Sequence, residues 1–309
     1  MSDDSDSIYY QQYQEKVDLT PDVRLWVCFA NLEKPVRGTI INIHGLFGSP
    51  LEQRQTNLIE PLTKRGFNVV SLETIPLSLT ADYHTDKKTY LDIFHKSLRA
   101  GFYFISQNSR LFNVPHKFIN AHSIACRALV NLMYDDNRNK FDSYKTIILN
   151  NPYFVPTNDL LESSKTNKWD RIKNIRSNFS SKIMGTEYNY KICANGLLIP
   201  PADKKLQNKT PEQLADAVIK NISNIYPKHQ IVVIQGTGDD KTLKMNMKIL
   251  PKKNKQIKIK TIKKADHNFS NTLQPHLKKI LPLIDDIDRD SKPAIEQIIA
   301  KILYRGKNK

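Results

Sequence analysis

The segment from Lys117 to Ala128 constrains the fold more than any other part of the sequence, because it has the pattern of a buried strand that runs directly into a helix. Ser123 stands at the junction, with Ala121 two positions before it and Ala125 two positions after it. A strand-to-helix turn of this tightness strains its central residue and crowds its neighbours, so the flanking positions must be small. The segment therefore predicts an elbow that exposes the Ser123 hydroxyl at the end of a sheet.

Predicted strands and helices alternate along most of the chain. Residues 7–20 are polar and rich in Tyr, so the first predicted strand is 24–31. Short apolar runs predict further strands at 39–43, 67–72, 117–121, 144–150, 230–235 and 256–262. Apolar residues at helical spacing predict the helices between them, including one in which Ser49 is the N-cap and Pro50 the first residue. Strands joined by helices require parallel crossovers, which indicates an α/β fold with a mostly parallel, doubly wound sheet.

The alternation stops between Pro152 and about Pro227, in a stretch rich in Lys, Asn and Ser. Its one clear element is a helix that begins with the capping pattern Thr210-Pro211-Glu212-Gln213. An insertion of this length in a compact α/β fold is typical of a lid or cap. The sequence therefore predicts one core in two parts, residues 1–152 and 228–309, with a lid formed by residues 153–227.

Composition limits the classes of protein and of partner. The chain has 309 residues, 39% of them hydrophobic, which suffices for a large core. It has no apolar run long enough to span a membrane, and its acidic start does not resemble a signal peptide, so a soluble cytoplasmic protein is expected, although export without a cleaved signal stays open. Three cysteines without ligand spacing predict reduced thiols.

The net charge of +16 favours anionic partners. However, the densest group of lysines, from Lys252 to Lys264, alternates with Ile257 and Ile259, as on the solvated face or guarded edge of a sheet. No nucleic-acid-binding motif accompanies the charge, so nucleic acid is disfavoured and an anionic membrane surface is the partner that charge alone suggests. Oligomeric state is not indicated.

Candidate acids and a candidate base follow two later strands. The strand at 230–235 ends in Gly236-Thr237-Gly238-Asp239-Asp240, and the strand at 256–262 leads to Asp266-His267. Sites of open α/β sheets form beyond the carboxyl ends of the strands. A serine hydroxyl needs a histidine to take its proton and a carboxylate to orient the imidazole, and serine, acid and histidine occur here in that order. Asp240 and Asp266 remain rivals of Asp239.

A glycine loop follows the strand at 39–43. His44-Gly45-Leu46 could aim the backbone N–H of Leu46, together with that of Ile124, at a developing oxyanion. With this loop, the chain resembles the α/β-hydrolase fold family over about residues 24–285. The resemblance rests on four motifs: His44-Gly45-Leu46-Phe47-Gly48, the elbow at Ser123, Gly236-x-x-Asp239 and Asp266-His267. The position of the lid is similar to that in monoacylglycerol lipase-like and lysophospholipase-like members.

That resemblance implies Ser123 as nucleophile, His267 as base, Asp239 as orienting acid, and Leu46 and Ile124 as oxyanion donors. The sequence departs from the family at Ala121 and Ala125, where glycines are usual. The implied function is a serine esterase for acyl-lipid or lysophospholipid-like esters, with no metal or organic cofactor. A thioesterase, an acyltransferase, or a non-catalytic hydrolase-like protein with an anion-binding basic surface are the alternatives.

The remaining histidines and Cys126 have simpler interpretations. His122 is expected to pack under the elbow rather than to act as a base. Cys126 is expected to be a small buried residue, because Ile124, two positions before it, is too large for a second elbow. Surface or capping roles suffice for His84, His95, His116, His229 and His276.

Overall fold

The computed structural model describes residues 15–20, 23–30, 35–45, 50–73, 90–135, 141–154, 211–225, 228–239, 246–247, 250–255 and 257–290. The strands are β1 (Glu15–Thr20), β2 (Val23–Cys28), β3 (Gly38–Ile43), β4 (Phe67–Glu73), β5 (His116–His122), β6 (Tyr144–Asn150), β7 (Gln230–Gly236) and β8 (Lys258–Ile262). The helices are α1 (Gln53–Thr63), α2 (Tyr90–Gln107), α3 (Ser109–Phe112), α4 (Ile124–Asp135), α5 (Pro211–Ile225), α6 (Leu250–Lys253) and α7 (Leu273–Asp290).

The eight strands form one sheet in the order β1-β2-β4-β3-β5-β6-β7-β8. From β4 to β8 all neighbours are parallel, whereas β2 runs antiparallel to both β1 and β4. This arrangement confirms the predicted mostly parallel α/β sheet. It also brings the carboxyl ends of β3, β5, β6, β7 and β8 to one edge of the sheet, which is the edge where polar loops follow the strands.

Helices cover both faces of the sheet because the strand side chains alternate in direction. On β3, Ile41 and Ile43 face the apolar cluster that contains α2, α4 and α5, while Ile40 faces the cluster that contains α1 and α7. Both clusters are buried, so the central strands have no solvated face. Near-continuous apolar runs are expected for such strands, and they made these elements predictable.

The hairpin at the amino-terminal edge of the sheet was not predicted. Glu15–Thr20 pairs with β2 although its surroundings in the sequence are polar. Val17 and Leu19 are half-buried and pack against the core, while Glu15 and Lys16 are exposed. Polar and apolar residues therefore alternate in β1, as in a strand with one buried face, but the alternation covers only the four residues from Lys16 to Leu19.

The predicted start of α1 is wrong. Pro50 and Leu51 lie in a turn, and the helix begins at Gln53 with Glu52 as its N-cap. The carbonyl of Glu52 accepts the first helical hydrogen bond from the N–H of Thr56. The Glu52 side chain makes no capping hydrogen bond and instead pairs with the guanidinium of Arg54 at 3.0 Å. The helix begins three residues later than the Ser49 and Pro50 pattern indicates.

Part of the predicted lid lies outside the described residues. The helix expected at Thr210-Pro211 is confirmed as α5, and its inner residues Ile219, Ile222 and Ile225 pack in the same cluster as α4. Residues 155–210 are not among the described residues, so the lid at 153–227 stays a prediction.

Residues 258–262 of the lysine-rich stretch form β8, the outer strand of the described sheet. Lys258 is exposed, as expected for a guarded edge, but Lys260 is half-buried like Ile259, so the predicted alternation of solvated lysines with buried isoleucines is not seen along this strand. Among the residues that the structure describes, no helix combines the length and the apolar character needed to cross a membrane.

Candidate active site

The elbow forms where β5 ends and α4 begins. Ser123 adopts a left-handed backbone conformation with φ of 56°, which is rare for a residue other than glycine. Ala121 and Ala125 are fully buried on either side of it, as the crowding of such a turn requires. The N–H of Ser123 donates to the carbonyl of Asn150 at 3.0 Å, and the N–H of Tyr153 donates to the carbonyl of Ser123 at 3.0 Å. The strained residue is therefore held from both sides by the end of β6.

His267 and Asp239 meet Ser123 from the loops that follow β8 and β7. The Ser123 hydroxyl lies 2.8 Å from Nε2 of His267, and Nδ1 of His267 lies 2.7 Å from Oδ2 of Asp239. The side chain of Asp239 is buried, whereas that of His267 remains partly exposed. Asp240 lies outside the described residues, and Asp266 instead receives hydrogen bonds from the N–H and hydroxyl of Ser270.

The contacts of His267 define the proton positions in a neutral ring. A carboxylate can only accept, so Nδ1 carries the proton that is donated to Asp239. Nε2 is then free to accept the hydrogen bond of the Ser123 hydroxyl. Such an arrangement can transfer a proton from the hydroxyl to the imidazole, because the carboxylate stabilises the imidazolium that forms.

Gly45 brings the loop after β3 against the elbow. A Cβ at this position would lie 2.8 Å from Cβ of Ser123 and 2.9 Å from Nδ1 of His122, distances that no ordinary side chain tolerates. Only glycine fits at position 45, which gives the predicted glycine loop a steric reason.

Of the two expected oxyanion donors, Leu46 lies outside the described residues. Ile124 begins α4, and backbone N–H groups in the first turn of a helix have no partner within that helix.

His122 is buried beneath the elbow, which confirms its expected place. Its Nε2–H donates to the backbone carbonyl of His267 at 2.8 Å. Burial lowers the pKa of His122 well below its ordinary value, and the positive charge of Arg54 lowers it further. His122 therefore stays neutral near pH 7 and donates to the backbone of the neighbouring histidine.

Asn151 is a site residue that sequence reasoning missed. Its side chain is fully buried and contacts both loops that carry the acid and the histidine. Oδ1 accepts the N–H of Gly236 at 2.7 Å, and Nδ2 donates to the carbonyls of Asp266 and His267 at 3.0 and 2.8 Å. A signal existed, because Asn151 directly follows a predicted buried strand, just as Gly236 does.

A chain of buried amides lies below the site. The amide of Asn120 donates to Asn42, that of Asn150 donates to Asn120, and Nε2–H of His276 donates to Asn150 at 2.7 Å. His276 and His229 are buried and hydrogen-bonded, so the surface or capping roles expected for them are wrong. Burial lowers the pKa of both, to about 3 for His276.

Cys126 is fully buried, as expected, and burial raises the pKa of its thiol. This environment disfavours the thiolate, so Cys126 is a poor nucleophile. Within the described ranges, no group of three His, Cys, Asp or Glu side chains is placed to hold a metal ion.

Comparison with solved structures finds similar proteins across most of the chain. A candidate lipase from Acinetobacter baumannii AYE matches with a TM-score of 0.65 at 14% identity, covering 94% of this chain and 99% of its own. Est1E from Butyrivibrio proteoclasticus matches at 0.53 and 13% identity, covering 88% and 97%. A thioesterase domain from the curacin biosynthetic pathway matches at 0.52 and 12% identity, covering 86% and 98%. No protein-family model and no curated protein matches the sequence.

Proposed function

Since this chain has the α/β-hydrolase fold, we propose that it is a serine hydrolase that cleaves carboxylic esters through Ser123, His267 and Asp239. The contacts of His267 support this proposal most directly, because one imidazole joins a strained serine hydroxyl at 2.8 Å to a buried carboxylate at 2.7 Å. A histidine kept only for packing would not require a serine hydroxyl at Nε2 and a carboxylate at Nδ1.

In the first half of the proposed reaction, Oγ of Ser123 attacks the carbonyl carbon of the ester and its proton moves to Nε2 of His267. Asp239 stabilises the imidazolium through the hydrogen bond at Nδ1. The negative charge that develops on the carbonyl oxygen is held by the N–H groups of Ile124 and Leu46. Collapse of the tetrahedral intermediate breaks the bond to the alcohol, which leaves with the proton from Nε2.

In the second half, a water molecule attacks the acyl-enzyme. His267 takes a proton from this water as a general base and returns it to Oγ of Ser123 when the acid is released. No metal or organic cofactor takes part in the proposed cycle. The partial exposure of the His267 side chain gives water a route to the imidazole.

The proposed substrates are acyl-lipid or lysophospholipid-like esters. The net charge of +16 supports this class, because such lipids are presented on anionic surfaces. One structural neighbour is described as a candidate lipase, an enzyme from Thermogutta terrifontis as an esterase, and another neighbour as a thioesterase domain. A thioester offers the same acyl carbon to Ser123, so a thioester belongs in the substrate test.

The test is hydrolysis of p-nitrophenyl esters with acyl chains from short to long, together with one acyl thioester and one lysophospholipid. We expect Ser123→Ala and His267→Ala to lower kcat by at least about a thousandfold, because each removes a reacting group. Asp239→Asn should lower kcat by up to about ten-thousandfold, because it favours the wrong imidazole tautomer. Ser106→Ala is the control, since Ser106 is an exposed serine on α2.

Equal hydrolysis by the wild type, Ser123→Ala and His267→Ala would reject the assignment of these residues. A wild type that hydrolyses none of these substrates but binds anionic vesicles in a salt-sensitive manner would instead favour the non-catalytic binding protein.

A further inference from the structure

The last residue of β6 and the residues just after it contact all three segments that carry the proposed catalytic side chains. The carbonyl of Asn150 and the N–H of Tyr153 hydrogen-bond the backbone of Ser123. Between them, Asn151 binds Gly236, three residues before Asp239, and the backbone of His267. This short segment is therefore placed to fix the nucleophile, the acid and the base relative to one another.

Asn151 itself is held rigidly. Its N–H donates to the carbonyl of Ile234 at 2.8 Å, which extends the ladder between β6 and β7 by one residue. Its φ of 38° lies in the left-handed region, where asparagine is favoured over most other residues. The side chain is fully buried, and its amide uses both the oxygen and the nitrogen in hydrogen bonds of 2.7 to 3.0 Å.

The loop that carries His267 is held by backbone hydrogen bonds to the acid loop and, at His267 itself, by two side chains. Direct backbone bonds between the acid loop and the histidine loop include those from Thr237 to Ile262 and from Gly238 to Ala265. At His267, the carbonyl oxygen accepts from Nδ2 of Asn151 and from Nε2 of His122, both at 2.8 Å. These two donors use both lone pairs of the oxygen, so they define where the backbone of His267 lies.

We propose that Asn151 is a positioning residue that aligns the imidazole of His267 between Ser123 and Asp239 by joining the loops after β7 and β8 through a single amide. This inference rests on the proposed function. Displacement of the His267 backbone by even a fraction of an ångström would change the hydrogen bonds of the imidazole to Oγ of Ser123 and to Asp239, and such misplacement lowers the rate of the chemical step.

Asn151→Asp separates the donor role from the shape of the side chain. Aspartate has the same size, tolerates the left-handed conformation and keeps an oxygen for the N–H of Gly236. As a carboxylate it faces the carbonyls of Asp266 and His267 with an oxygen that repels both, and as a neutral acid it can donate only one hydrogen bond where Nδ2 donates two. Asn151→Gly is the second variant, because glycine fits the backbone angle and removes all the side-chain bonds.

The kinetic readout is kcat and KM for a p-nitrophenyl ester. We expect both Asn151 variants to lower kcat by about tenfold or more while KM stays within about twofold, because the lost alignment acts on the reaction rather than on binding. Asn254→Asp is the matched control: its amide is also buried but donates to Ser223, away from the site, and this variant should keep the wild-type kcat.

The second readout does not depend on turnover. In protein labelled with ¹⁵N-histidine, the Nδ1–H of His267 that donates to Asp239 should give a strongly downfield proton resonance, assigned by its absence in His267→Ala. We expect this resonance to be lost or broadened in the Asn151 variants and retained in Asn254→Asp. It tests the positioning role even if no ester tested is hydrolysed, so failure of the proposed function and failure of this inference are distinguishable.

A normal kcat with an unchanged resonance in Asn151→Asp would overturn the inference. Thermal melts are recorded for every variant. If both Asn151 variants are unfolded at the assay temperature, Asn151 is required for the fold and the positioning role is rejected.

Discussion

The ring of His122 donates a hydrogen bond to the backbone carbonyl of His267, although the two residues are 145 positions apart in the sequence. The ring centroids lie 5.0 Å apart. The residue before the proposed nucleophile thus holds the backbone of the proposed base. Because burial lowers the pKa of His122, its ring remains a neutral donor near pH 7.

We expect the hydrogen bond from His122 to contribute to the rate. His122→Leu removes the donor and leaves the His267 carbonyl with Asn151, so kcat for an ester should fall by about tenfold. His122→Gln supplies an amide donor of similar reach and should lose less activity. Steady-state kinetics on both variants measure the difference. Equal kcat values for His122→Leu and the wild type would show that this contact does not affect the reaction.

The contact of Gly45 with the elbow predicts a strong effect of a single methyl group. In Gly45→Ala the new Cβ would lie 2.8 Å from Cβ of Ser123, so either the loop or the elbow must shift. We expect kcat/KM to fall by at least about tenfold, because the proposed oxyanion donors would move away from the carbonyl oxygen. Ester hydrolysis and the rate of labelling by a fluorophosphonate probe both measure this loss.

Gly101→Ala is the matched control for Gly45→Ala. Its Cβ would meet Cδ1 of Leu72 at 2.4 Å, in the core and away from the site. This variant should lower the melting temperature through overpacking while the folded fraction keeps its labelling rate. If the two variants lose labelling equally, the effect at Gly45 is one of stability alone.

Burial of His276 predicts a loss of stability in acid. Its pKa is lowered from 6.5 to about 3 in the folded protein, mainly by burial, so between these values the unfolded chain binds a proton that the folded chain does not. The contribution of the neutral His276 ring to the free energy of unfolding is therefore fully present above about pH 6.5 and is lost as the pH falls toward 3. His276 alone makes the free energy of unfolding decrease by up to about 1.4 kcal/mol for each pH unit in this range.

Urea unfolding at several pH values between about 7.5 and 4 measures that slope. His276→Gln lacks the titrating ring but keeps an amide donor for Asn150. As the pH falls, its free energy of unfolding should therefore decrease less steeply than that of the wild type, and the difference in slope corresponds to the binding of up to about one proton. Part of the slope remains in the variant, because burial also lowers the pKa values of His44, His122 and His229. Identical slopes in the wild type and His276→Gln would contradict the prediction.

Much of the fold could be predicted because the central strands are buried on both faces. Ile147, Ile148 and Leu149 are fully buried, and the apolar run that contains them predicts β6 with the bounds that the structure has. At the edge of the sheet this signal weakens. β1 shows it only through Val17 and Leu19. The start of α1 is also missed, because the Ser49 and Pro50 capping pattern favours an earlier start than Gln53.

The candidate site was predictable to the extent that its residues follow strands in a recognisable order. Ser123, Asp239 and His267 each come just after a strand, and parallel pairing brings those strand ends together. Asn151 and His122 contact backbone carbonyls of distant loops, and such contacts depend on the register of β5, β6 and β7. No pattern of residue types along the chain encodes them.

The most direct measurement is the mass of peptides from the protein after reaction with a fluorophosphonate probe. We expect one phosphonylated peptide, with the adduct on Ser123, formed by the wild type and absent from Ser123→Ala and His267→Ala. An adduct on another residue, or equal labelling of Ser123 in the wild type and His267→Ala, would contradict the assignment of Ser123 and His267 as nucleophile and base.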